Sequence, residues 1–233
     1  MQQNPLWKKN VPQSKFGAPE SEGLEEIRLS AVSRMDEEEE QEEEKKGQDT
    51  PILIEKKLLD SRTLIISGPV TDKLCTSVIS RLLVLEEMDP KGEITAFINS
   101  PGGSADSGFA MYDMLKFISC PVRTIVNGIC ASAAVLVFLA GNEGSRLTFP
   151  HSRFLIHQPS TGGRGTASDL HITAQQVLKL RDSYNQIISD ATGRSMEDLV
   201  EDAARDFWLS APEAIEYKLA DRIIKGRAEL QET

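Results

Sequence analysis

Cysteine is scarce in this chain of 233 residues, which contains only three. Cys75, Cys120 and Cys130 are odd in number and widely spaced, and none belongs to a metal-type pair. This usage argues against a disulfide framework and against a zinc site. It is typical of a protein that stays in a reducing compartment.

Long apolar runs are lacking as well. The longest, Ile129 to Ala140, is far shorter than the roughly 18 residues that a membrane-spanning helix needs. The N-terminal sequence MQQNPLWKKN has no apolar signal core. From these absences we expect a cytoplasmic protein without a membrane partner.

The chain has fewer positive than negative residues: 26 Lys and Arg and 36 Asp and Glu give a net charge of -10. Such a surface repels the phosphate backbone of nucleic acids and anionic membranes. The sequence also lacks G-x-G-x-x-G and the G-K-[ST] ending of a P-loop. We therefore expect a protein partner, no nucleic acid, and no nucleotide cofactor bound by this chain.

The acidic residues are concentrated at the N-terminus. Residues 1–50 carry seven Lys and Arg against thirteen Asp and Glu, with an acidic block from Asp36 to Lys45. Their lack of apolar periodicity predicts a largely disordered extension, either a solvated tail or a regulatory or removed propeptide. Residues 51–226 are predicted to form one α/β domain, and residues 227–233 a short C-terminal tail.

From Pro51 onward, short β-rich runs alternate with segments of helical period, which is typical of βα units. The predicted strands are Leu64–Ile66, Ile94–Ile98, Val122–Val126, Leu147–Phe149 and Phe154–His157. The predicted helices between them are Asp72–Glu87, Ser104–Ile118 and Ser132–Ala140.

A long amphipathic helix is predicted from Ser168 to Ala191, after a loop rich in Gly and Pro. At 1.5 Å per residue it would reach about 36 Å, which exceeds the small core beside it. We therefore expect a second subunit to pack against the part of the helix that extends beyond the core. Its apolar positions are Leu170, Ala174, Val177, Tyr184, Ile188 and Ala191.

Two polar residues stand where α/β proteins place their sites. His157 ends an apolar strand and precedes a Gly-rich loop. Ser132 lies in a run of small and aliphatic residues, where a buried helix begins after a tight turn predicted at Asn127–Gly128. Free N–H groups at a helix start can stabilise an oxyanion. A core histidine and a small residue for close packing are the alternative interpretations.

The loop Asn99–Ser104 and the acidic residue Asp206 are further candidates for the functional site. The loop Asn99–Ser104 joins a strand to a helix, and its two glycines allow close backbone approach. Phosphate binding competes there with an oxyanion or substrate-backbone role. Asp206, next to Phe207 and Trp208, is expected to be partly buried and to need a partner. A salt bridge with a neighbouring Arg is the alternative to a catalytic role.

Four motifs, in order, closely resemble the ClpP family of caseinolytic proteases over about Leu58 to Ile224. These motifs are Ile98–Gly103, Gly128–Ser132, Ile156–Pro159 and Arg205–Ala214. The resemblance implies an α/β fold, a crotonase-like stack of ββα units with a protruding handle helix. The helix from Ser168 matches the handle, and the loop from Thr161 to Thr166 matches its neighbouring strand at the ring-to-ring contact.

The resemblance also implies an ATP-dependent serine endopeptidase. Ser132 would attack the scissile carbonyl, His157 would take its proton, and Asp206 would hold the imidazole. The backbone N–H groups of Gly103 and Ala133 would form the oxyanion hole. This chain would need no metal and no cofactor, since the partner ATPase uses the ATP.

The family's working form is two stacked heptameric rings, a tetradecamer that receives unfolded protein substrates from a hexameric Clp ATPase of the ClpX or ClpA type. Of the aromatic docking residues, Phe97 and Phe117 are kept and Thr95 replaces another. The chain departs from the family at Cys130 and at Ala133–Ala134, which stand in place of Ala and Met-Gly. A non-catalytic subunit of a mixed ring and a crotonase-type acyl-CoA enzyme are the alternative functions.

Overall fold

The computed structural model describes residues 52–231, so the predicted acidic extension lies outside the described residues. The described chain belongs, from Glu55 onward, to one compact unit. Its elements are, in order, α1 (52–60), β1 (Thr63–Ser67), α2 (Asp72–Met88), β2 (Ile94–Ser100), α3 (Ala105–Phe117), β3 (Val122–Ala131), α4 (Ala133–Leu139), β4 (Arg146–Thr148), β5 (Arg153–Ile156), α5 (Ala167–Thr192), α6 (Met196–Asp202), β6 (Phe207–Ser210), α7 (Ala211–Glu216), β7 (Arg222–Ile223) and a 3₁₀ helix (Arg227–Gln231).

The main sheet has the strand order β1-β2-β3-β4-β7. Each neighbouring pair in this order is parallel. Parallel strands need long crossover connections, and α2, α3 and α4 lie on those that join the first four strands. The predicted alternation of strands and helices is therefore confirmed. Strand β5 extends the sheet sideways, parallel to β3 and antiparallel to β6.

Strand β3 is longer than predicted and changes neighbours along its length. Its first half pairs with β4, and its second half, from Ile129 to Ala131, pairs with β5. The tight turn predicted at Asn127–Gly128 is wrong, because both residues lie within β3 where its register with β2 shifts. Gly128 has φ of 137° there, and a Cβ would stand 2.6 Å from Asn99 Oδ1. The glycine thus serves a bulge, which carries the strand on to Ser132.

Helix α4 lies wholly in the core, and each of its residues from Ala133 to Leu139 is at most 4% exposed. Burial of a Val, Leu or Phe side chain contributes about 1.5–3 kcal/mol. The helix therefore has little freedom to move. Ser132, which precedes it directly, is held by this packing.

Helix α5 is the long helix expected from the sequence, and it spans 26 residues. Thr166 caps its first turn by accepting from the Asp169 N–H, and Gly193 ends it in the left-handed conformation. Its buried residues, Tyr184, Asn185, Ile188 and Thr192, all belong to the C-terminal half. The N-terminal half leaves Leu170, Ile172 and Leu178 exposed. Half of the apolar stripe is thus uncovered within the described chain.

The strand that the resemblance implied for Thr161 to Thr166 is not formed. Residues 157–166 are irregular backbone that leads from β5 to α5. A strand requires a neighbouring backbone for its N–H and C=O groups. Within residues 52–231 no strand pairs with this segment.

Candidate active site

Ser132 occupies a strained junction between β3 and α4. Its φ of 55° and ψ of -126° are sparsely populated for a residue with a Cβ, at a cost of about 1–3 kcal/mol. The Ser132 N–H donates to Leu155 O at 2.9 Å, and its carbonyl accepts from Val135 N at 2.9 Å. Its side chain makes no capping hydrogen bond. The backbone is thus fixed on both sides while Oγ is left available.

The Gly loop after β2 approaches Ser132 closely. Gly102 and Gly103 have φ of 85° and 152°. A Cβ built on Gly102 would lie 2.7 Å from Ser132 Cβ and 3.1 Å from Ala133 N. A Cβ on Gly103 would collide with the backbone of Val70. The loop requires glycine at both positions because the strand-to-helix junction and Val70 leave no room for a side chain.

Two backbone N–H groups beside this junction have no role in regular structure. Ala133 is the first residue of α4, so the hydrogen bonds of the helix do not use its N–H. The bridge between Val70 and the Gly loop uses the carbonyl of Gly102 and the N–H of Ser104. The N–H of Gly103 is therefore outside that bridge. A pair of free N–H groups next to a hydroxyl is the arrangement that stabilises an oxyanion.

His157 and Asp206 face each other because β5 and β6 are paired. Ile156 is opposite Phe207 in the antiparallel ladder, which places His157, just after β5, opposite Asp206, just before β6. His157 Nδ1 lies 4.0 Å from Asp206 Oδ1. This separation exceeds a hydrogen bond. The structure therefore brings the two residues together without closing the bond between them.

The expected burial of Asp206 is wrong. Its side chain is 67% exposed, and the neighbouring Trp208 is 46% exposed. The reason is that β6 is an edge strand, paired only with β5 in the described chain. Nor does Asp206 form a salt bridge with an Arg among the described residues; its ionic neighbour is His157.

Ser132 and His157 line one cleft of about 430 Å³. Among the described residues, no hydrogen bond joins Ser132 Oγ to the His157 ring. The other side chains of the wall are mainly apolar and come from three helices, α3, α4 and α5, from the Gly loop after β2 and from the coil after β5. They are Pro101, Ala105, Phe109, Ala133, Leu136, Pro159, Leu180 and Tyr184, with Ser104 and Ser160 as polar members.

Sequence reasoning missed one residue of this site. The helical pattern marks Tyr184 only as an apolar position of the long helix, but its hydroxyl donates to the carbonyl of Ser132 at 3.2 Å. Its ring also lines the cleft. A phenol inside an apolar stripe was the available signal, since a buried Tyr hydroxyl needs a partner.

The other two histidines lie away from this cleft. His151 is exposed in the turn before β5, and His171 is exposed on α5, where its ring contacts Gln175. Cys130 is fully buried, and this burial raises the pKa of its thiol. Residues 52–231 contain no cluster of His, Cys, Asp or Glu that could hold a metal ion. No helix in that range is long and apolar enough to cross a membrane.

A second cleft, of about 620 Å³, lies on the opposite side of the β2 backbone from the core. Thr95 and Phe97 line it together with Arg123, Phe149 and Leu230. Phe117, the other aromatic residue expected to dock a partner, lies outside this lining and is 78% exposed.

A sequence model described as Clp protease matches residues 45–227. The chain belongs to the Clp protease family. Among solved structures, a mutant of ClpP1 from Listeria monocytogenes matches with a TM-score of 0.71 and 36% sequence identity, covering 76% of this chain and 99% of that one. The resemblance to ClpP and the crotonase-like fold are thus confirmed, and membership of the Clp protease family makes the chain a peptidase.

Proposed function

We propose that this Clp protease is a serine endopeptidase in which Ser132, His157 and Asp206 form the catalytic triad. The observation that carries the proposal is the junction at Ser132. Its strained backbone presents an unbonded hydroxyl in the same cleft as His157, beside two free backbone N–H groups. This is the geometry of a nucleophile at a sharp strand-to-helix turn.

The reaction follows from these positions. Ser132 Oγ attacks the scissile carbonyl carbon while His157 Nε2 takes the hydroxyl proton, and Asp206 stabilises the imidazolium through Nδ1–H. The N–H groups of Gly103 and Ala133 stabilise the tetrahedral oxyanion. Its collapse releases the amine, which takes the proton from His157. Water, activated by the same imidazole, then hydrolyses the acyl-enzyme.

Labelling with a fluorophosphonate, which reacts covalently with an activated serine hydroxyl, tests this assignment directly. We expect covalent labelling of the wild-type chain at Ser132, located by mass spectrometry, and loss of both label and peptide hydrolysis in Ser132→Ala. Ser189→Ala is the control, because Ser189 lies on α5 outside the cleft. Label on another residue, or hydrolysis retained by Ser132→Ala, would overturn the nucleophile assignment.

A non-catalytic subunit of a mixed ring is the second candidate. The 4.0 Å separation of His157 and Asp206 and the exposure of Asp206 favour it. An unlabelled wild-type chain that still assembles would support this candidate.

A crotonase-type acyl-CoA enzyme would hydrolyse or rearrange acyl-CoA thioesters and would not depend on the hydroxyl of Ser132.

We propose further that the chain assembles into heptameric rings stacked as a tetradecamer through α5. The exposed apolar side chains on the N-terminal half of α5 support this, since Leu170, Ile172 and Leu178 are uncovered in the single chain. An unfolded protein substrate would then reach Ser132 only from inside the particle.

For delivery of that substrate, we propose a hexameric Clp ATPase of the ClpX or ClpA type, with ATP used by that partner. The cleft around Phe97 is the proposed docking site, because it is large and its aromatic rings, Phe97 and Phe149, suit an apolar anchor. The scarcity and spacing of cysteine support a cytoplasmic location for the complex.

A further inference from the structure

Tyr184 links the long helix α5 to the junction that carries Ser132. The residue is 6% exposed, and its hydroxyl donates to the carbonyl oxygen of Ser132 at 3.2 Å. Burial raises the pKa of the phenol, with smaller contributions from Cys130 and Tyr217. The hydroxyl therefore stays protonated and remains a donor across the working pH range.

The carbonyl that accepts this hydrogen bond belongs to the peptide group between Ser132 and Ala133. The C=O of Ser132 and the N–H of Ala133 are parts of the same peptide unit. Because that unit is planar, a partner that holds the oxygen also sets the direction of the N–H on its other side. A hydrogen bond to the oxygen also polarises the unit and strengthens the N–H as a donor.

Leu155 O of β5 fixes the N–H of Ser132, whereas the peptide unit after Ser132 is held through its carbonyl oxygen. Within residues 52–231, this oxygen has one partner besides Tyr184, the N–H of Val135 in helix α4. Ser132 itself is strained, with φ of 55°. A strained junction relaxes unless its surroundings hold it. Tyr184 is the side chain that reaches the carbonyl from a different element.

We propose that Tyr184 is a positioning residue that aims the Ala133 N–H at the oxyanion formed during peptide hydrolysis. The inference rests on the proposed serine peptidase function and adds a residue to its machinery. It also connects the long helix to the reaction, because a shift of α5 would turn the peptide unit that follows Ser132.

Tyr184→Phe removes the hydroxyl and leaves the ring in the wall of the cleft. We expect kcat to fall by about three- to tenfold with KM unchanged, since the lost interaction acts on the transition state. The inhibition constant of a peptide aldehyde, whose adduct carries an oxyanion, should rise by the same factor. The native mass and melting temperature report on any change in structure.

Tyr217→Phe is the matched control, because Tyr217 is also buried and donates to Asp202 at 2.7 Å, outside the cleft. This variant also loses one phenol hydrogen bond, and we expect it to keep the wild-type kcat and aldehyde affinity.

An active wild type with an equally active Tyr184→Phe would overturn the inference alone. So would a rise in KM with unchanged kcat, which would make Tyr184 part of the pocket wall only. An equal loss of kcat in Tyr217→Phe would show a general structural effect. A wild-type particle that neither hydrolyses peptides nor takes the fluorophosphonate would instead refute the proposed function, and with it the oxyanion that Tyr184 is proposed to serve.

Discussion

Replacement of Gly102 by Ala tests whether the Gly loop and the Ser132 junction form one catalytic unit. Gly102 has φ of 85°, and its added Cβ would stand 2.7 Å from Ser132 Cβ and 3.1 Å from Ala133 N. Ordinary carbon contacts lie at about 3.5–4.0 Å, so the loop or the junction must shift by roughly 1 Å. A shift of the junction displaces the hydroxyl of Ser132 and the N–H of Ala133, and a shift of the loop displaces the N–H of Gly103.

Two costs of this substitution can be separated. The left-handed backbone alone costs an Ala about 1–2 kcal/mol of stability, wherever in the fold it occurs. A misplacement of about 1 Å at a reacting group costs on the order of 10²-fold in rate. The second cost exists only where the new methyl group meets the site.

Gly144→Ala isolates the first cost, because Gly144 has a φ of 80° and open space around its Cβ position. By chemical denaturation we expect Gly144→Ala to lose only the backbone cost and Gly102→Ala to lose more, because its methyl group also collides with the junction. Only Gly102→Ala should lose about 100-fold in kcat/KM, measured with a fluorogenic peptide on particles of verified mass. Equal activity of the two variants would refute the close coupling of loop and junction.

The other predictions concern the triad, the assembly, the N-terminal extension and the proposed docking site for the ATPase. Asp206→Asn should reduce peptide hydrolysis by a factor on the order of 10⁴, and near wild-type activity would make the acid structural. Val177→Glu should split the particle in native mass spectrometry, whereas Gln176→Glu, an added charge at an exposed neighbour, should not. Deletion of residues 1–47 should leave folding and peptide hydrolysis unchanged, since this segment has little apolar surface. Phe97→Asp should abolish ATPase-dependent protein degradation while short-peptide hydrolysis continues, and unchanged degradation would contradict the docking proposal.

The helices around the sheet could be read from the sequence because their ends are marked locally. Helix α2 was predicted as Asp72–Glu87 and extends to Met88. Helix α3 was predicted to include Ser104, which is its N-cap and accepts from the Ser107 N–H. Capping residues and apolar periodicity act within a few positions of the chain, so one sequence is enough to recognise them.

Strand β6 was not predicted, because four residues with mixed exposure carry no periodic signal. It exists because β5 offers a free edge, and Ile156 pairs with Phe207 across about fifty positions of sequence. The same distance in sequence hid the meeting of His157 and Asp206. Residue type and local sequence marked His157 and Asp206 as separate candidates. Before the structure, only the resemblance to ClpP indicated that they act as a pair.

The second half of β3 was missed for a related reason. Asn127–Gly128 is a strong turn signal in isolation, yet the pairing of Ile129–Ala131 with β5 continues the strand beyond it. Here long-range pairing overrides a local preference. The consequence is functional, since the continued strand delivers Ser132 to the N-terminus of the buried helix α4.

The open His157–Asp206 pair and the uncovered half of α5 are connected by one continuous stretch of backbone. His157 opens the irregular segment 157–166, which ends at the cap of α5, whose N-terminal half is uncovered. Any contact that covers α5 and orders this segment must act on His157 through a few residues of backbone. The gap of 4.0 Å to Asp206 lies at the start of that path. Under the proposed assembly, closure of the His157–Asp206 pair and burial of α5 are therefore one event, and specific activity should rise with the fraction of assembled particles as the chain concentration increases.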